Sequence, residues 1–444
     1  MRSAFLSAVM LYLLMLGISY PPVAGIAYLW IDIVKPQGLA YSFITSLPVS
    51  LIAGVLVIFS LIFDRNKVPF TMQPAQWFIG LFALWITITS ALADPLLGSW
   101  GKWDPAFKSL IFTMLIPLLF RSRIQLEALL ITLIFSLATI IFSAGVKTLM
   151  GGGGYGTLAV MGGANTGMAE SSTLSAVALM MLPLTHFVYK RSIISPDNRW
   201  LKLLLLAVGV TAIAAVIGST ARTGLVAGGF LLFCYVFRSK YKSAWAIVLV
   251  IVLAIGTTLD LEGSTWGRRM TTINTYEEDS SASSRIDVWK WTMRFVSEHP
   301  LGGGFDAYRF NGIGTPGGPA AASISQPVVI GGKAFHSIYF EVLGEQGFPG
   351  FFIYYTIMAL TFFKLRKIRR LTKGQPELEW ASDLSARMFD AQAVLMVAGL
   401  FIGIAFQPVM FYLVAATVCL SNLVDQKIPK TWIARNDAKR YAAT

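Results

Sequence analysis

Apolar stretches of about twenty residues recur along the whole chain, and a helix needs ~20 such residues to cross a hydrocarbon core of ~30 Å. Of 444 residues, 55% are hydrophobic and only 13% charged, with a mean hydropathy of +0.64. No single soluble core hides that much apolar surface. The chain reads as an all-α polytopic membrane protein with about 12 transmembrane helices, counted one per apolar run. The expected spans lie at residues 3–20, 43–63, 74–92, 106–120, 124–143, 170–189, 200–217, 222–237, 244–261, 337–363, 389–406 and 409–425. Residues 21–36, opened by Pro21-Pro22 and closed by Pro36, are apolar but interrupted and read as re-entrant or interfacial.

In a soluble protein a net charge of +13 would suggest nucleic acid. Its placement here points to topology instead. Lys and Arg gather at Arg2, at Arg65 and Lys67, at Arg121 and Arg123, and from Lys190 to Lys202. Further clusters run from Arg238 to Lys242, Lys364 to Arg387 and Lys427 to Arg440. By the positive-inside rule these face the cytoplasm and leave both termini there. The expected organisation is membrane helices over 1–261, an external loop domain over 262–336, membrane helices again over 337–426, and a cytoplasmic tail over 427–444. The two cysteines, Cys234 and Cys419, fall in expected spans and offer neither a disulfide framework nor metal spacing. No small-residue cleavage site follows the first apolar run, so that helix is read as retained.

The external face carries four interruptions. Residues 94–105 contain Trp100 and Trp103, suited to an interfacial belt. Residues 147–169 contain a glycine run, Gly151 to Gly154, that lacks the Gly-Lys-Ser/Thr ending of a phosphate loop and reads as a mobile connection. The third is the short turn Ser219-Thr220-Ala221, and the fourth is the large loop. Within that loop Ser284 and Asp287 fit a capping box, followed by Ile286, Trp289, Met293 and Val296 on one helical face and a stop at His299-Pro300.

Arg222, Arg285 and His336 each fall at an expected helix start on this external side. Helix N-termini present unpaired N–H groups, so an arginine there adds formal charge to an existing anion site, and two such sites suit a pyrophosphate. For Arg222 the bland alternative is snorkelling to headgroups; for Arg285 it is pairing with Asp287 or Glu278. His336 is one of three histidines. It is either a hydrogen-bonded residue at a loop junction or a general base, neutral at working pH. His186 suits packing within a span, and His299 suits the C-terminal carbonyls of the loop helix.

Three motifs in order then carry a resemblance. They are Ser219-Thr220-Ala221-Arg222-Thr223-Gly224, Ser284-Arg285-Ile286-Asp287-Val288-Trp289 leading to His299-Pro300-Leu301-Gly302-Gly303-Gly304-Phe305, and His336-Ser337-Ile338-Tyr339-Phe340-Glu341-Val342-Leu343-Gly344-Glu345-Gln346-Gly347-Phe348. Together they resemble the O-antigen ligase superfamily, and the last is similar to the O-glycosylation ligases found beside exosortase systems. The family's histidine is more often followed by asparagine than by Ser337, which bears on the acceptor rather than on the class.

The resemblance implies a GT-C-like glycosyltransferase of the bacterial inner membrane with its active site in the periplasm. Such an enzyme transfers a glycan from undecaprenyl pyrophosphate to a lipid A core sugar, with inversion. Arg222 and Arg285 would bind the pyrophosphate and His336 would serve as general base. Protein O-oligosaccharyltransferase and O-antigen polymerase are alternatives on the same scaffold. No Asp-x-Asp pair lies in the external loops, so no metal or other cofactor is expected. The expected partners are the lipid-linked donor, the acceptor and membrane lipids, without nucleic acid. A rival from another class, a transporter of a lipid-linked glycan, calls for inverted repeats and broken helices at the midplane. The polar residues gather instead on one face.

Overall fold

The computed structural model describes residues 2–40, 47–66, 72–154, 158, 168, 170–194, 196–238, 280–313 and 332–428. The expected span 244–261, the loop portions 262–279 and 314–331, and the tail beyond residue 428 lie outside them. Among the described residues the regular structure is entirely helical. The helices are α1 Arg2–Ser19, α2 Pro21–Val34, α3 Pro36–Leu39, α4 Val49–Ile62, α5 Pro74–Leu92, α6 Trp100–Leu119 and α7 Arg123–Leu149. They continue with α8 Ser171–Arg191, α9 Arg199–Ser219, α10 Arg222–Arg238, α11 Ser280–Glu298, α12 Ile338–Thr372, α13 Glu379–Ala398 and α14 Pro408–Lys427.

Six of these, α5, α7, α8, α9, α12 and α14, are long and apolar enough to cross a membrane. Helices α1 and α10 lie close to the expected spans 3–20 and 222–237. Three others differ from theirs. Helix α4 begins at Val49 rather than 43. Helix α6 begins at Trp100 rather than 106 and includes Lys102, Asp104 and Lys108. Helix α13 begins at Glu379 rather than 389, carries Asp383, Arg387 and Asp390, and ends at Ala398.

Polar contacts sort the helix ends onto two faces. On the basic face Arg121 Nη2 lies 2.8 Å from Asp64 Oδ2, and Glu127 accepts hydrogen bonds from Ser192 Oγ at 2.9 Å and the Ile193 amide at 2.7 Å. Gln73 Nε2 donates to Asn422 Oδ1 there at 2.6 Å. On the opposite face Ser99 Oγ donates to the Phe305 carbonyl at 2.8 Å, and the Ile338 amide donates to Gly399 at 2.8 Å.

Residues 21–36, read as re-entrant or interfacial, form a buried helix over Pro21–Val34. Pro21 and Pro22 sit at the first positions of α2, where the missing N–H costs nothing and the fixed φ suits a helix. The helix is buried through Ala24, Ala27, Leu29 and Ile31 and packs against α1, α4 and α7. Ser19, Tyr20, Asp64 and Arg121 line one cavity, while Gln73, Arg121 and Asn422 line another. The C-terminal ends of α1 and α14 therefore both lie on the basic face.

Helix α12 is kinked at Gly347, whose φ is +63°, with Pro349 unable to donate a backbone hydrogen bond. The carbonyls released by the break are taken by other segments. Gly344 accepts from the Gly303 amide at 3.0 Å and Glu345 from the Gly304 amide at 2.9 Å. Gln346 accepts from Trp85 Nε1 at 2.8 Å, and the Phe348 amide donates to Pro300 at 3.0 Å. A Cβ on Gly302 or Gly347 would overlap the backbone of the facing segment. The His299-to-Gly304 motif is thus the complement of the kink.

Helix α11 lies over this junction and begins at Ser280, so Ser284 and Asp287 fall inside the helix rather than at its cap. Its buried face is also rotated from the expected one. Val288, Trp291, Phe295 and Val296 pack with Ala307, Phe335 and Leu343, whereas Ile286 and Met293 are exposed. Phe335 and Leu343 supply an apolar floor that accepts the wider Val288–Trp291–Phe295 stripe.

Candidate functional site

His336 stands between two buried residues, Phe335 and Ser337, with φ of +47°, a region that a residue bearing a Cβ rarely occupies. Its side chain is 37% exposed, and Nδ1 lies 4.0 Å from Glu170 Oε1. Burial holds the imidazole below the ordinary histidine pKa; Glu170 pulls it upward, Arg285 and Lys333 push it down, and Glu341 pulls it up. The result favours the neutral, proton-accepting form.

Arg285 belongs to the second turn of α11 rather than to its start, yet its charge acts on His336. One turn later Trp289 Nε1 donates to the Phe335 carbonyl at 2.9 Å, and its ring stacks on Phe340 with centroids 5.0 Å apart. Arg222 opens α10 as expected. The preceding turn has Thr220 at φ +48°, and Ser219 Oγ lies 2.6 Å from Ser175 Oγ on α8. Glu170 precedes Ser175 by about 7 Å of helical rise, so the start of α8 spans from His336 to the Arg222 junction. The glycine run arrives at the same place, for the Gly154 amide donates to Gly218 at 2.7 Å. Of the other histidines, His186 lies edge-on to Tyr235 and His299 rests against Phe295.

A second group went unassigned in the sequence. Lys102 Nζ lies 2.8 Å from Glu341 Oε1 and 2.7 Å from Glu345 Oε1, and it faces the rings of Phe305 and Phe406. Glu341 Oε2 accepts the Ala405 amide at 3.0 Å, while Glu345 Oε1 accepts the Asp306 amide at 3.1 Å. An i, i+4 spacing puts both carboxylates on one face of α12, and the single ammonium joins them to α6, to the turn after α11 and to the α13–α14 connection. An ionisable residue within an apolar helix is itself a signal, and Glu345 satisfied it. Glu170, at the mouth of a span, gave a weaker one.

Residues 207–355 match the family described as O-antigen ligase. The matched region contains Arg222, Arg285, His336, Glu341 and Glu345. Residues 1–193 match a family of unknown function (DUF5935), and that part contributes Lys102 and Glu170. The candidate site draws on both matched regions, with His336 Nδ1 in one lying 4.0 Å from Glu170 Oε1 in the other. No curated protein matches the chain.

Proposed function

We propose that this protein is a multi-pass glycosyltransferase of the O-antigen ligase type in the bacterial inner membrane. It takes a glycan from undecaprenyl pyrophosphate and passes it to a hydroxyl of the lipid A core. The basic face is cytoplasmic and the His336 face periplasmic. The observation that carries this reading is the meeting of half-exposed His336 with Glu170 and with the charge of Arg285, inside the region matching the O-antigen ligase family.

The donor already has a good leaving group, so the protein's task is to stabilise charge as the bond from C1 to the pyrophosphate oxygen breaks. Arg222 and Arg285 hold the pyrophosphate through charge-assisted hydrogen bonds. His336 accepts the proton of the acceptor hydroxyl as its oxygen forms the new bond to C1 from the opposite side, which inverts the anomeric centre. Glu170, facing Nδ1, orients the ring so that Nε2 is the accepting nitrogen.

Expression in a cell lacking its own O-antigen ligase, with lipid A core and protein both scored for attached glycan, tests the assignment. Glycan on the core is the expected result. Glycan on protein alone would reassign the acceptor and make the protein an O-oligosaccharyltransferase, and no transfer to either would defeat the reading.

Glu170→Gln gives a signed pH test. The catalytic form of His336 is neutral, so transfer falls as pH drops through its pKa, which lies below the ordinary value of ~6.5. Glu170 raises that pKa; its loss moves the acid limb of kcat/KM to lower pH. A limb displaced to higher pH would refute the pairing.

A further inference from the structure

We propose that Trp289 is a positioning residue for His336, holding the histidine backbone from both flanks and tying it to the helix that carries Arg285. The proposal rests on the glycosyl-transfer reading and assigns a role that the reaction itself leaves open: what keeps the base in place. His336 has φ of +47°, a conformation that persists only where the surroundings over-determine it. On one flank Trp289 Nε1 donates to the carbonyl of Phe335 at 2.9 Å. On the other, the same indole stacks on Phe340 with ring planes 5° apart. The Ile338 amide is anchored separately to Gly399 at 2.8 Å.

Trp289 lies one helical turn after Arg285, on the same side of α11. A single side chain therefore sets the height of the histidine relative to the arginine. Its neighbours Val288 and Trp291 pack into the apolar cluster that includes Phe335, which fixes the helix beneath the clamp. Among the described residues the charged groups acting on His336 are Glu170 at the start of α8, Arg285 on α11, Lys333 on the approach and Glu341 on α12. A shift of the Phe335 carbonyl changes the distance from the imidazole to all four.

Two substitutions in the full-length protein, reconstituted in lipid nanodiscs, separate the two halves of the clamp. Trp289→Phe keeps a stacking ring and removes the N–H; Phe340→Leu keeps the N–H and removes the stack. Transfer kinetics are read alongside NMR titration of histidine-labelled protein, with the His336 signal assigned by its loss in His336→Asn. Trp289→Phe should lower kcat by about 10- to 100-fold, the scale of a displaced catalytic group, and leave the donor KM within about threefold. The His336 titration should move up toward the ordinary histidine value as water reaches the ring. Phe340→Leu should move both in the same direction by less.

Wild-type kcat and an unmoved titration in Trp289→Phe would overturn the proposal. A chain that transfers no glycan at all would defeat the functional reading, while the titration still decides the clamp. Should Trp289→Phe fail to fold, Phe340→Leu is judged by the same two measurements.

Discussion

Replacing His336 by asparagine should lower glycan transfer by ~10²- to 10⁴-fold, the range that a positioned general base supplies. Asparagine is a better test than alanine because the backbone here has φ of +47°, and asparagine tolerates the left-handed region that alanine resists. The side chain is 37% exposed, so its exchange leaves the packing of Phe335 and Ile338 in place and the thermal midpoint close to wild type. Donor binding should also hold, since the pyrophosphate is assigned to Arg222 and Arg285. The loss therefore belongs in kcat rather than in KM. Initial rates with saturating lipid-linked donor, measured at a pH above the histidine's titration, make the comparison. A variant that keeps a third or more of the wild-type rate would remove His336 from the chemistry.

Hydropathy made the main spans legible because a bilayer selects for length and composition, and α5, α8 and α14 lie close to where those patterns put them. Local rules failed where tertiary packing decided. Pro21-Pro22 looked like an interruption, whereas two prolines at a helix start are compatible with a buried helix. On α11 the spacing put Ile286, Trp289, Met293 and Val296 on the buried face, whereas Phe335 and Leu343 beneath the helix take the stripe through Val288 and Phe295. The glycines of the His299-to-Gly304 motif could be quoted from the sequence, but their purpose could not. They accept the kink at Gly347, more than forty residues further along the chain. Of the candidate site, Arg222, Arg285 and His336 were visible as polar residues at the edges of apolar runs. Glu170 gave only a weak signal and Lys102 none, because nothing local announces a partner that lies far away in the chain. Lys102 and Glu341 are separated by 239 positions.

Lys102→Met should be the most destabilising single change in the site. The lysine side chain is 28% exposed and that of Glu345 fully buried, so removing the ammonium leaves two carboxylates one turn apart with backbone amides as their remaining hydrogen-bond donors. Removing one partner of a buried ion pair costs about 3–5 kcal/mol, because the charge left behind is uncompensated. Loss of the ring contacts to Phe305 and Phe406 adds to this. The thermal midpoint of the purified protein in detergent should fall by several degrees, with transfer activity lost in parallel as the start of α12 loosens beneath His336. The double variant Lys102→Met with Glu345→Gln should recover part of the midpoint, since a neutral amide in that buried place needs no counter-charge. Recovery of stability without full recovery of activity would show that the lysine also fixes α12 against α6 at the distance His336 requires. A midpoint within about a degree of wild type in the single variant would mean that the triad contributes no more than an exposed pair, for which the expected effect is under ~1 kcal/mol.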